Sequence, residues 1–76
     1  MAITVEQIRA ARGALRWHQS TLAAAAGMAT ISIRKIENSK TRPRASSMGK
    51  IEAALRTAGI EFGDETVALK RKEARG

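Results

Sequence analysis

The chain has 76 residues, 14 lysines and arginines against 7 acidic residues, and no cysteine. That length supports one domain with a thin core, since a chain of this size buries only about 60% of the surface it exposes when unfolded. Without cysteine there is no disulfide framework and no thiolate zinc site, and a lone histidine argues against a His-based metal cluster or a catalytic triad. No apolar run approaches the ~18 residues of a membrane span. Met1-Ala2-Ile3-Thr4 opens the chain without the basic and apolar regions of a signal peptide. A formal charge of +7 with 43% apolar residues predicts a small intracellular protein whose cationic surface seeks a polyanion.

In chain order, the first predicted helix covers residues 4 to about 16. Thr4 and Gln7 form a capping box: the hydroxyl accepts from the Gln7 N–H and the Gln7 side chain reaches back, while Ile3 and Ile8 occupy the staple positions. Val5, Ile8 and Leu15 recur on one face. Gly13 interrupts the helix at a cost of about 1 kcal/mol relative to Ala. Trp17 reads as a core anchor at the following corner and His18 as a surface or capping residue. A second helix fits residues 19 to 26, with Leu22, Ala23 and Ala26 as its apolar stripe, and Gly27 ends it in left-handed geometry. The third fits about 30 to 38, with Ile33 and Ile36 facing inward and Thr30 expected as its cap, because Ala29 has no acceptor.

Residues 39 to 45 read as a loop, because Pro43 forbids a continuous helix. A fourth helix fits about 46 to 58, capped by Ser46 or Ser47, with Met48, Ile51, Leu55 and Ala58 as its stripe. Met28 and Met48 read as core fillers. Ile60-Glu61-Phe62 and Val67-Ala68-Leu69 alternate around a segment of turn composition, Gly63-Asp64-Glu65-Thr66, which favours two short strands. The rival is a helix starting after Asp64, since Ala, Leu, Lys, Arg and Glu dominate the tail. Residues 70 to 76 are highly charged and are expected to fray. The expected fold is mainly α, four helices with a C-terminal strand or hairpin, divided into a domain over 1–59 and a segment over 60–76.

Two short helices joined by a Gly-containing turn form a helix-turn-helix unit, whose second helix can enter the DNA major groove. Gln19, Leu22-Ala23, Gly27-Met28, Ile33 and Ile36-Glu37, with the basic run Asn38-Ser39-Lys40-Thr41-Arg42-Pro43-Arg44, stand at the spacing of that unit. Over residues 3 to about 62 the chain resembles the phage Cro/repressor (XRE) family of helix-turn-helix regulators. The resemblance implies a lambda-repressor-like domain that binds double-stranded DNA without a cofactor. It assigns base reading to Thr30, Ile31, Ser32, Arg34 and Lys35, and phosphate contacts to Gln19, Lys40, Arg42 and Arg44. The chemistry agrees, because Arg can grip guanine bidentately, Thr can donate or accept, and Ile can contact only thymine methyl groups. The resemblance also pairs Arg12 with Glu37 between the first helix and the end of the third. The chain departs from the family pattern where Arg16 and Ser39 replace Gly and Ala29 replaces Ser, which weakens three caps. Asn38 is expected to replace one of them, because Asn tolerates left-handed geometry.

These residues predict a sequence-specific DNA-binding regulator, a dimeric repressor of a palindromic operator with half-sites ~34 Å apart. The resemblance supplies a phage or mobile-element setting and a bacterial or phage cytoplasm, with the protein on the nucleoid when bound to DNA. Ile60, Phe62, Val67 and Leu69 are the candidate dimer residues, because an unpaired strand edge needs a partner. A second class is an interaction protein on the same fold, an antitoxin or antiactivator that binds a toxin or a transcription factor. A membrane-surface role is disfavoured because the cations cluster on one helix face and loop. An enzyme is excluded as a reading because no acid–base pair has a pocket in so small a core.

Overall fold

The computed structural model describes residues 3–38 and 43–70. Four helices, α1 (Val5–Leu15), α2 (Gln19–Ala26), α3 (Thr30–Glu37) and α4 (Ala45–Thr57), precede two strands, β1 (Ile60–Phe62) and β2 (Val67–Leu69). The fold is mainly helical, as expected, and its C-terminal segment is a hairpin rather than a helix. Its two strands run antiparallel in the register Ile60↔Leu69, Glu61↔Ala68 and Phe62↔Val67. The expected fraying from residue 70 onward falls, beyond Lys70 itself, outside the described residues.

The capping box forms in full. Gln7 N–H donates to Thr4 Oγ1 at 3.1 Å, and Thr4 N–H donates to Gln7 Oε1 at 2.9 Å. Ile3 and Ile8 are both buried, so the staple ties the start of α1 to the core. The rest of that core is Ala11, Leu22, Ala23, Ile33, Met48, Ile51, Leu55 and Ile60. Every helix and the first strand therefore contribute to one interior. The small side chains Ala11 and Ala23 let α1 and α2 approach it closely. Trp17, Met28 and Ile36 pack against its rim, half-buried.

The α2–α3 turn is short. Gly27 takes φ 68°, ψ 36°, and the Met28 N–H donates back to the Ala23 carbonyl at 2.8 Å. That left-handed residue closes the last turn of α2 and redirects the chain within three residues. Arg16 does the same at the end of α1, at φ 59°, ψ 40°, with Trp17 N–H donating to the Arg12 carbonyl at 2.9 Å. An L-residue there carries a steric cost that glycine would not.

Several expected caps differ. Ala29, not Thr30, is the N-cap of α3, and no side chain satisfies its first turn. Likewise α4 starts at Ala45, with Arg44 as its N-cap, so Ser46 and Ser47 lie inside the first turn and do not cap it. Asn38 ends α3 at φ −100°, ψ 1°, and so does not adopt the left-handed geometry expected of it. The hairpin packs on α1 and α4. Gln7 Nε2 donates to both the Gly63 and Thr66 carbonyls at 2.9 Å, so one buried amide caps α1 and pins the hairpin turn.

Candidate nucleic-acid interface

Helix α3 buries one side and leaves the other bare. Ile33 is fully buried, and Glu37, one turn later, is buried at 3% exposure. Ile31, Arg34 and Lys35 are exposed, Ile31 at 48%, and they lie together on the opposite face at helical spacing. Thr30 and Ser32 are half-buried at the flanks of that face. An exposed isoleucine between two cations offers methyl contact beside guanidinium and ammonium donors, the combination that reads thymine and guanine edges.

The inner end of α3 is gripped by charge. Arg12 Nε donates to Glu37 Oε2 and Arg12 Nη2 to Oε1, both at 2.8 Å, a bidentate pair whose carboxylate is 2% exposed and whose guanidinium is 22% exposed. Arg12 Nη1 also donates to the Trp17 carbonyl at 3.0 Å, linking the pair to the α1–α2 corner. Gln19 Nε2 donates to Glu37 Oε1 at 3.1 Å. Burial by itself would raise the Glu37 pKa. Hydrogen bonds from Arg12 and Gln19, and the charges of Arg12 and Arg9, outweigh burial and hold the carboxyl below its ordinary value. The same hydrogen bond to Glu37 raises the Arg12 pKa against the opposing effect of desolvation. The pair is therefore ionised on both sides at neutral pH.

Helices α2, α3 and α4 all begin at His18, Ala29 and Arg44 without a side-chain cap, unlike α1. Their first-turn N–H groups are donors that a phosphate oxygen can satisfy. Arg44 is exposed at the start of α4. Lys40 and Arg42, expected to contact phosphate, lie outside the described residues. The α3 face, the Arg12–Glu37 pair and Gln19 thus form one assembly around the two helices of the turn. Residues matching this assembly are recognised by a family model for the helix-turn-helix of Cro/C1 type, which covers residues 8–62.

The chain belongs to the Cro/C1-type helix-turn-helix (XRE) family. As a member it is a DNA-binding helix-turn-helix regulator, and its family is regulatory rather than enzymatic. The match begins at Ile8 in α1 and ends at Phe62, so the α2–turn–α3 unit is central to it and β2 falls beyond it. No curated protein matches the chain. Among the described residues no helix is long and apolar enough to cross a membrane.

Two residues of this helix-turn-helix domain escape a reading of the sequence alone. Arg9 Nη2 donates to the Glu37 carbonyl at 2.7 Å, so a second arginine of α1 reaches the end of α3. The i, i+3 spacing of Arg9 and Arg12 was the available signal, since it places both on neighbouring turns of one helix. Gln7 was legible as a cap but not as the hairpin's anchor, because its partners are 56 and 59 residues away. The expected dimer residues are also redistributed. Ile60 is 2% exposed in its own chain's core, and Phe62 and Val67 pack against that core. The Arg56 guanidinium lies 5.2 Å over the Phe62 ring and covers it further. Only Leu69 of the four remains an exposed large hydrophobic residue, at 37%. The two strands satisfy one edge each by pairing with one another.

Proposed function

We propose that the protein is a sequence-specific transcriptional regulator, a homodimeric repressor acting on a palindromic operator in a phage or mobile-element type of switch. The observation that carries this reading is the exposed Ile31–Arg34–Lys35 face of α3, held from behind by Glu37. Thr30 and Ser32 flank that face and complete the set of base-reading side chains. Gln19, Lys40, Arg42 and Arg44 serve the phosphate backbone, with the uncapped N-termini of α2 and α4 adding N–H donors. Five of the six charged residues between 31 and 44 are cationic, which concentrates the excess positive charge where a phosphate footprint requires it. The Arg12–Glu37 pair sets the angle at which α3 meets the groove. One such domain buries little DNA surface, and a second copy joined through the free hairpin edge beside Leu69 doubles the readout. The setting for this activity is the cytoplasm of a bacterium or of a phage-infected cell.

Selection of bound sequences from a random DNA pool tests this reading. Enrichment of a two-fold symmetric site is expected. Arg34→Ala should then cost about 1–3 kcal/mol on the selected site and relax preference at one position, with little effect on random DNA. Equal losses on both DNAs would remove Arg34 from base reading. The second reading is an interaction protein on the same fold, an antitoxin or antiactivator, and the exposure of Ile31 favours it, since an apolar side chain at that degree of exposure suits a protein surface. A pool with no enrichment, together with loss of partner binding in Ile31→Glu, would establish that second reading instead.

A further inference from the structure

We infer that Arg9 is a positioning residue for the recognition helix: its guanidinium donates to a terminal carbonyl of α3 and fixes the helix along its axis against α1. The inference rests on the DNA-reading role of α3 proposed above.

Asn38 is at φ −100°, ψ 1°, not in the left-handed region that closes a helix with reverse hydrogen bonds. The last carbonyls of a helix carry partial negative charge and need donors, and a cation near them is stabilising. Arg9 Nη2 supplies one at 2.7 Å from the Glu37 carbonyl. Arg12 meanwhile holds the Glu37 side chain at 2.8 Å on both oxygens. A single residue of α3 is thus held at its backbone and at its side chain by two arginines from adjacent turns of α1. The side-chain grip alone leaves α3 able to pivot about the Glu37 χ angles. Adding the carbonyl grip restricts that freedom, because the backbone and the side chain of one residue are then both anchored to α1. Ile33 packs α3 into the core, and these contacts from α1 add to it in setting where Ile31, Arg34 and Lys35 present themselves. Arg9 is exposed on α1 and carries a full charge, so its rival role is a phosphate contact, and the two roles leave different signatures.

The test compares Arg9→Met, which keeps the stem without the donor, with Arg9→Lys, which keeps a cationic donor. Hydrogen exchange of the folded, DNA-free proteins comes first. Arg9→Met should speed exchange of the Glu37 and Asn38 amides about threefold to tenfold relative to those of α2, and Arg9→Lys should restore most of the protection. Binding to the selected operator and to random DNA follows, across a salt series. Arg9→Met should lower the ratio of specific to random affinity about threefold to tenfold with an unchanged salt slope. A loss equal on both DNAs, with the slope reduced by about one unit, would make Arg9 a phosphate contact and overturn the inference. Unchanged exchange at Glu37 and Asn38 would overturn it without reference to DNA. If the unaltered protein selects no sequence, the DNA-reading proposal fails while the exchange result still decides the capping role of Arg9.

Discussion

Arg12→Met tests the side chain that ties α1 to the end of α3. The substitution removes two charged hydrogen bonds to Glu37 and one to the Trp17 carbonyl, while keeping most of the apolar stem. The carboxylate left behind is 2% exposed when paired, so it loses its main partner where most of its solvation has already been given up. Stripping one partner from a buried pair costs about 3–5 kcal/mol, because the survivor keeps its desolvation penalty. Gln19 still donates to Glu37 and Arg9 still lies beside it, which places the expected loss near ~3 kcal/mol. For a domain of this size that corresponds to a fall in Tm of about 12–24 °C. Glu37→Gln should cost less, about 1–2 kcal/mol, since Arg12 is 22% exposed and can be rehydrated, and the amide oxygen still accepts one bond. Urea and thermal unfolding followed by circular dichroism measure both. If both variants lost under about 1 kcal/mol, the pair would be behaving as a surface ion pair and the argument for a rigid clamp would fail.

Acid gives an independent check on the same pair. Glu37 has a folded-state pKa below its ordinary value, so its contribution to stability is complete above that ordinary value. The contribution is lost as pH falls through the lower folded-state value. In Arg12→Met the main hydrogen bonds that hold the pKa down are gone, burial pushes it up, and protonation relieves the folded variant. The stability gap between the two proteins should therefore begin to narrow as pH falls through the variant's raised value, above the ordinary glutamate range, and go on narrowing below that range. A gap independent of pH would assign the loss to packing rather than charge.

Three further substitutions bear on the local geometry. Arg16→Gly should raise stability by about 0.5–1 kcal/mol, since glycine removes the left-handed strain at φ 59° but gains freedom when unfolded; a loss in chemical denaturation would show that the Arg16 side chain is contributing instead. Ala29→Ser supplies the hydroxyl acceptor that the first turn of α3 lacks and should add about 0.5–2 kcal/mol, measured the same way. Gln7→Ala removes the reciprocal cap and both bonds to the hairpin turn, and should cost about 1–3 kcal/mol. Hydrogen exchange should then accelerate across Val67–Leu69 while Ile33 in α3 keeps its protection.

What could be read from the sequence was what local chemistry determines. The reach of α2 from Gln19 to Ala26 follows from a polyalanine run stopped by Gly27, and the hairpin follows from alternation around Gly63-Asp64-Glu65-Thr66. The helix caps differ where hydroxyl residues are expected to set them, although α3 starts at residue 30 as expected and α4 only one residue earlier than expected. In α3 the start is set by the turn instead: Gly27 redirects the chain, Ala29 is the last extended residue, and its carbonyl accepts from Ser32 and Ile33 N–H. In α4 it is set by the extended Arg44, whose carbonyl accepts from Met48 N–H at 3.0 Å. Thr30, Ser46 and Ser47 consequently lie one to three residues too late to cap.

The candidate site divides along the same line. The outward face of α3 was legible because burial of Ile33 and Ile36 dictates, by helix periodicity, that Ile31, Arg34 and Lys35 face away. Its support was legible only through family resemblance, and then only for Arg12 and Glu37. Arg9 looks in the sequence like any cation on a solvated helix face, because its partner is a backbone carbonyl 28 residues away and carries no side-chain signature. Ile60 shows the converse. Its alternating pattern with Phe62 suits a dimer strand as well as a core strand, and in the structure Ile60 joins Ile8, Ile51 and Leu55 in one buried cluster. In a chain this short the interior is filled from within first, since each buried isoleucine contributes about 1.5–3 kcal/mol and the core has few others to spend. In the dimer proposed above, the partner subunit would therefore be held by the hairpin's free edge and Leu69, and not by Ile60, Phe62 or Val67.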